Sequence, residues 1–209
     1  VLTQAPYSFR FRRLTNALLP ALRDAGGDVR IVHVSSIAAY GAGFDVSDLD
    51  WSARQYEKWS AYCASKRENV LFSDALAERE AAAGSSVSSV SLHPGVVDTE
   101  LVRYLVPPDW LAARATADQS RSQLATALTH LLGVRSPPEG AAPSLWAATA
   151  PRDAFVSGGY YLDAAQLAPS LGRPGGGAGG KALRDELWER SAAAVADAAA
   201  GRVRVAMAA

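Results

Sequence analysis

In the run AYCASKRENVLF, residues 61–72, Tyr62 stands four residues before Lys66. On a helix, positions i and i+4 lie one turn apart on the same face. An ammonium beside a phenol favours the phenolate and lowers the tyrosine pKa. A tyrosine tuned in this way gives or takes a proton at a carbonyl or alcohol oxygen near neutral pH. The spacing alone also arises by chance on exposed helices, so the surrounding residues decide its meaning. The apolar run RIVHVSS ends in Ser35 and Ser36, and ligands of α/β sheets bind at strand ends. A hydroxyl there can hydrogen-bond the oxygen that Tyr62 protonates; a pair of turn-forming serines is the plainer reading. A second run ends in HPGVVDTEL. There Pro94-Gly95 turns the chain and frees backbone groups, and Thr99 offers a hydroxyl.

The elements that must position these groups follow from periodicity. TNALLPALRDAGG has helical spacing at Leu14, Leu18, Leu19 and Leu22, with Pro20 as a kink or early end and Gly26-Gly27 as the stop. DVRIVHVSS reads as a strand apolar on both faces. IAAYGAGFDVSDLDW reads as a loop. A long helix follows from about Trp59 to Ala83, with Trp59, Cys63, Val70, Leu71 and Leu76 as its apolar positions. SSVSSVSLHPG supplies a second strand, PEGAAPSLWAATA a helix, GGYYLDA a third strand and LGRPGGGAGG a glycine loop. KALRDELWERSAAAVADAAA forms a last helix with Leu183, Leu187 and Trp188 on one face. Strands alternating with helices predict an α/β fold with a parallel sheet of three recognisable strands flanked by helices.

Composition narrows the function classes. Lys+Arg and Asp+Glu are both 21, so the chain of 209 residues is formally neutral, which argues against nucleic acid as a partner. One cysteine, Cys63, excludes an internal disulfide framework and a cysteine zinc site, and points to a reducing, cytoplasmic setting. His33, His93 and His130 lack metal-ligand spacing, so no metal is expected. No apolar run is long enough to span a membrane. Gly175 to Lys181 satisfies G-x-x-x-x-G-K, but Ala182 stands where a phosphate-binding loop needs Ser or Thr.

RIVHVSS, AYCASKRENVLF and VSLHPGVVDTEL, in that order, resemble the short-chain dehydrogenase/reductase family. FDVSDLDW and the later SLWAATA, VSGGYYLDA and LWERS are similar to its retinol dehydrogenase and fungal oxidoreductase branch. The resemblance runs from about Leu14 to Ala193. It implies the C-terminal part of a Rossmann-type doubly wound sheet, in one domain. That domain divides into a catalytic core over 14–100, a substrate lid over 101–140 and a C-terminal strand and helix over 141–209. It implies hydride transfer between a nicotinamide cofactor, NADP ahead of NAD, and a carbonyl or alcohol. Tyr62 takes the place of the acid/base. Lys66 takes that of the lysine that lowers its pKa and holds the nicotinamide ribose. Ser36 takes that of the residue orienting the carbonyl, and Pro94, Gly95, Val97 and Thr99 match the segment at the carboxamide and nearby phosphate. Trp110 in the lid suggests a lipophilic substrate, and the helix of Tyr62 with the one before it suggests a homodimer.

The chain also departs from the family pattern. No glycine-rich turn of the G-x-x-x-G-x-G kind is present, and with it goes the usual contact with the cofactor pyrophosphate. These features predict a chain truncated relative to a family member. Tyr7 stands where the family has an asparagine of its proton relay, Asn16 is too far along to replace it, and His33 replaces another asparagine. The alternative function is a non-catalytic remnant, a binding or regulatory protein without cofactor binding.

Overall fold

In the computed structural model the described residues are 5–99, 133–162, 166–167 and 180–200. Helix α1 (Ala5–Asp24) begins well before Leu14 and takes Pro20 into its body. It ends where Gly26 and Gly27 turn to positive φ, 65° and 72°. Of the four leucines expected to face inward, Leu19 is buried and Leu22 half-buried. Leu14 and Leu18 are exposed, because the buried face is set further back by Arg12 and Thr15.

Strand β1 (Arg30–Val34) runs parallel to β2 (Ser88–His93), with Val32 opposite Val90. The β2 strand is also parallel to β5 (Tyr160–Leu162), which pairs antiparallel with the two-residue β6 (Gln166–Leu167). The sheet order is β1-β2-β5-β6. The three expected strands are therefore present and parallel. The short β6 and a separate two-strand ladder of β3 (Val96–Val97) with β4 (Val134–Arg135) were beyond reach of periodicity. The two long strands differ in environment. Every residue of β2 from Ser88 to Leu92 is buried, whereas β1 is the sheet edge among the described residues and leaves Val34 exposed. The serines of β2 are tolerated in the interior because they find partners: Ser89 Oγ meets Ser73 Oγ at 2.9 Å and Ser91 Oγ donates to Gly159 O at 3.3 Å.

Helix α2 (Lys58–Ala82) packs across β2 and starts at Glu57, whose carboxylate accepts from the Trp59 and Ser60 amides. Its buried Ala61 and Ala64 leave room for Trp51 and Phe44 of the preceding loop. Trp59, read above as an apolar helix position, is 54% exposed; it lies in the first turn, ahead of the buried stripe. Helix α3 (Pro137–Thr149) carries a Ser136/Glu139 capping box and prolines at its first two positions. Helix α4 (Gly180–Ala199) docks on α2 through Trp188, stacked on Phe72 at 5.3 Å, and through Arg184, 3.0 Å from Asp74. Lys181, the lysine of the glycine-rich run, is held by Glu78 and Asp185 rather than left for a phosphate. The lid expected over 101–140 is described only at its end, where 134–140 form β4 and the start of α3. Its residues 101–132, Trp110 among them, and the glycine loop at 171–179 lie outside the described residues.

Candidate active site

The parallel pairing of β1 and β2 puts their carboxyl ends side by side, and the candidate residues gather there. Ser35 is buried at the end of β1, and its Oγ donates to the Lys66 carbonyl at 2.6 Å. The Lys66 Nζ reaches back to the Val34 carbonyl at 3.2 Å, and Asn69 Nδ2 donates to the same oxygen at 3.2 Å. The end of β1 is thus tied to one turn of α2 from both directions. Ser36 follows at once, in extended backbone, and caps the 3-10 turn Ile37–Tyr40 by accepting from the Ala38 amide at 3.2 Å. That cap is a weak hold on the hydroxyl, which still carries a hydrogen to donate.

Tyr62 lies one turn before Lys66, with the Lys66 Nζ 5.7 Å from its ring centroid. Trp59 stacks on the phenol ring at 5.7 Å with planes 26° apart. Burial pushes the Lys66 ammonium below the ordinary lysine range. The loop after Ser36 presses on the same helix: a Cβ at Gly41 would meet Cys63 Sγ at 2.5 Å, and one at Gly43 would meet Ser60 Cβ at 2.5 Å. Ser36 and Tyr62 are therefore carried by two segments in direct van der Waals contact.

Beyond β2, Pro94-Gly95 makes the turn into β3. Gly95 has φ 90° and lies against the Arg135 side chain, which donates to Pro94 O at 3.3 Å. Val97 packs its side chain against Gly140 of α3, so it offers a ligand backbone groups alone. Thr99 is exposed. His93, at the end of β2, is held below the usual histidine range by burial and then by Arg135.

The structure brings Ser36, Tyr62, Lys66 and the Pro94–Thr99 segment to one end of the sheet. Sequence reasoning did not place Asn69 or Arg135 at this end of the sheet, and it read Trp59 as an apolar helix position and not as a neighbour of Tyr62. Asn69 is three positions after Lys66 and Trp59 three before Tyr62, so helical spacing could have found both. Arg135 comes from β4, far along the chain, and nothing local marks it. Asn16 is exposed on α1, and the side chain of Tyr7 lies outside the described residues.

No family model matches the chain. Retinol dehydrogenase 13 of Homo sapiens is 38% identical over 159 residues, which are 75% of this chain and 44% of that protein. A Streptomyces lividans protein named "Probable oxidoreductase" is 34% identical over 205 residues, 91% of this chain and 66% of its own length. The crystal structure of an uncharacterized protein from Mycobacterium Paratuberculosis superposes with a TM-score of 0.56 at 27% identity, over 88% of this chain and 54% of that one. The chain thus spans about half the length of the human and mycobacterial proteins and about two thirds of the Streptomyces lividans one. Among the described residues no helix is long and apolar enough to cross a membrane. With the three motifs placed at one end of a parallel sheet, and with relatives of this identity along most of its length, the chain belongs to the short-chain dehydrogenase/reductase family, in its retinol-dehydrogenase-like branch.

Proposed function

We propose that this chain carries the proton-transfer and nicotinamide-binding half of an oxidoreductase that interconverts a carbonyl and an alcohol. The observation that carries the reading is the Lys66 side chain, which lies beside the Tyr62 ring while its ammonium reaches the carboxyl end of β1, next to Ser36. The donor set fits the nicotinamide–ribose end of a dinucleotide: an ammonium, a phenol and the backbone of Pro94 to Val97 stand at the same end of the sheet. Lys66 would trade its bond to Val34 O for a ribose hydroxyl, and Val97 and Thr99 would hold the carboxamide side. When bound, the cofactor supplies the hydride donor or acceptor. Tyr62 gives or takes the matching proton at the substrate oxygen, and Ser36 orients that oxygen by hydrogen bonding. Burial lowers the proton affinity of Lys66, and in its charged form the ammonium beside the ring favours the Tyr62 phenolate.

A small-molecule carbonyl or alcohol is the proposed partner. NADP precedes NAD only by branch resemblance, and pairing of two copies through α1 and α2 is part of the same proposal. The second reading is a binding or regulatory protein without cofactor binding. The test is turnover with NADPH or NADH against a panel of carbonyls, using the chain and its Tyr62→Phe variant. Turnover lost in Tyr62→Phe supports the proposal; turnover retained in that variant removes Tyr62 from the chemistry.

A further inference from the structure

Three large apolar side chains next to the candidate residues stand in solvent. Ile37 follows Ser36, Trp59 precedes Tyr62 by three positions and Val96 follows Gly95, and all three are exposed. Single apolar residues on a surface are ordinary. Three at one end of the sheet, each beside a candidate residue, mark a surface that a ligand would cover. Trp59 stands apart from the other two because its ring touches the proposed acid/base. The indole stacks on the Tyr62 ring, with centroids 5.7 Å apart and planes 26° from parallel.

The backbone under this indole is held firmly. The Trp59 amide donates to the Glu57 carboxylate at 2.9 Å, which fixes it in the first turn of α2. The loop before it is pinned by Trp51, which is buried at a φ of 60°. A bulky residue keeps such a backbone only where its surroundings enforce it. Trp51 packs on Ala61 and Ala64 of α2, and Tyr56 meets it edge-on at 5.7 Å. An aromatic ring on a fixed backbone gives contact area at little cost in freedom when a ligand binds.

We propose that Trp59 is a specificity-determining residue: its indole is a stacking wall beside Tyr62 that favours an aryl carbonyl, or the matching aryl alcohol, over the saturated counterpart. The inference rests on the assignment of Tyr62 as acid/base. A substrate oxygen within hydrogen-bond reach of the Tyr62 hydroxyl brings the substituents of its carbon alongside whatever flanks the phenol, and Trp59 is such a flank. Ile37 and Val96 offer apolar contact to any hydrocarbon group. The indole adds a π face, which gains more from a second aromatic ring in an offset or edge-on arrangement than from a saturated one. Much of that indole is still open to solvent, so the stack on Tyr62 leaves surface for a ligand.

The experiment compares acetophenone with cyclohexyl methyl ketone, of similar size, as ligands of the whole chain, by ligand-observed saturation-transfer NMR. In the parent the expected dissociation constant is lower for acetophenone by roughly threefold to tenfold. Trp59→Phe keeps a π face and should keep the preference. Trp59→Leu keeps apolar bulk alone and should bind both ketones alike, with the melting temperature of the parent. In chain labelled with 5-fluorotryptophan, the Trp59 fluorine signal, identified by its loss in Trp59→Phe, should move as acetophenone is added. Equal binding of the two ketones by the parent, a preference that survives in Trp59→Leu, or a Trp59 signal that acetophenone leaves unmoved overturns the proposal. The readout needs no turnover, and Tyr62→Phe should keep the preference, so failure here is distinct from failure of the proposed reaction.

Discussion

Ser35 and Lys66 hold each other in place without their charges or side chains meeting: the buried Ser35 hydroxyl donates to the Lys66 backbone carbonyl at 2.6 Å. A carbonyl in mid-helix already accepts from the amide one turn on, so the serine adds a second bond at its free lone pair. The ammonium of the same lysine returns to the carbonyl of Val34, the residue before Ser35. Ser35→Ala deletes the first link. We expect a loss of about 1–2 kcal/mol, measured by urea unfolding, and a fall in turnover of any active form. An unchanged unfolding midpoint would show that the hydroxyl contributes nothing net.

Tyr62→Phe keeps the ring and its stack on Trp59. The variant should therefore retain the circular dichroism and melting temperature of the parent while losing turnover by a factor of roughly 100 or more. Lys66→Met should do the same to turnover.

Cofactor affinity divides between the two ends of the dinucleotide. The nicotinamide end has candidate partners here, but the sequence contains no glycine-rich turn for the pyrophosphate. Titration of NADPH fluorescence with the chain alone should give weak binding or none. Saturation at micromolar protein would contradict this expectation.

His33 supplies a pH-dependent test of the core. It is wedged edge-on between Phe11 and Phe72, at 6.0 and 5.5 Å, and burial pushes its pKa down to about 4. The unfolded chain binds this proton near pH 6.5 and the folded chain resists it until about pH 4. Stability is thus full above pH 6.5 and falls through the window down to about pH 4, by on the order of 3 kcal/mol. His33→Phe should flatten this slope in chemical denaturation measured between pH 4 and 7. A slope that persists unchanged would assign it to carboxylates such as Glu80, which Arg23 holds below its ordinary range.

Gly95→Ala tests the turn after β2. Its φ of 90° strains any other residue, and a Cβ would stand 2.5 Å from Arg135 Cδ. We expect destabilisation by about 1–2 kcal/mol, seen in the denaturation midpoint. Arg135→Ala in the same chain should relieve the contact and leave the backbone cost.

The sequence carried the positions of the candidate residues better than their surroundings. Tyr62, Lys66, Ser36 and Pro94-Gly95 were legible because helix spacing and strand ends are local properties, and all lie at one end of the sheet. The inward face of α1 was misread at Leu14 and Leu18, because a buried Arg12 carries no apolar signature. It is instead covered by the ring of Trp188, 4.2 Å from its guanidinium. Trp59 was taken for a core residue by its hydrophobicity, yet its place in the first turn of α2 leaves it in solvent. The β3–β4 ladder and Arg135 depend on pairing between distant segments, which no periodicity reports.

The edge of β1 has a consequence for solubility. Ser88 N bonds Val29 O and Ser35 N bonds Leu92 O, so the odd-numbered residues of this stretch face β2. Arg30, Val32 and Val34 turn their amides and carbonyls the other way, along a row that another strand could extend. At the carboxyl end of that row the Val34 carbonyl is already taken by Lys66 and Asn69. Lys66 belongs to α2 and not to the edge strand, but its ammonium occupies an edge carbonyl as a guarding edge-strand lysine would. The residue proposed to tune the acid/base thus also stands as a stopper, and variants that remove it should be watched for fibres as well as for lost turnover.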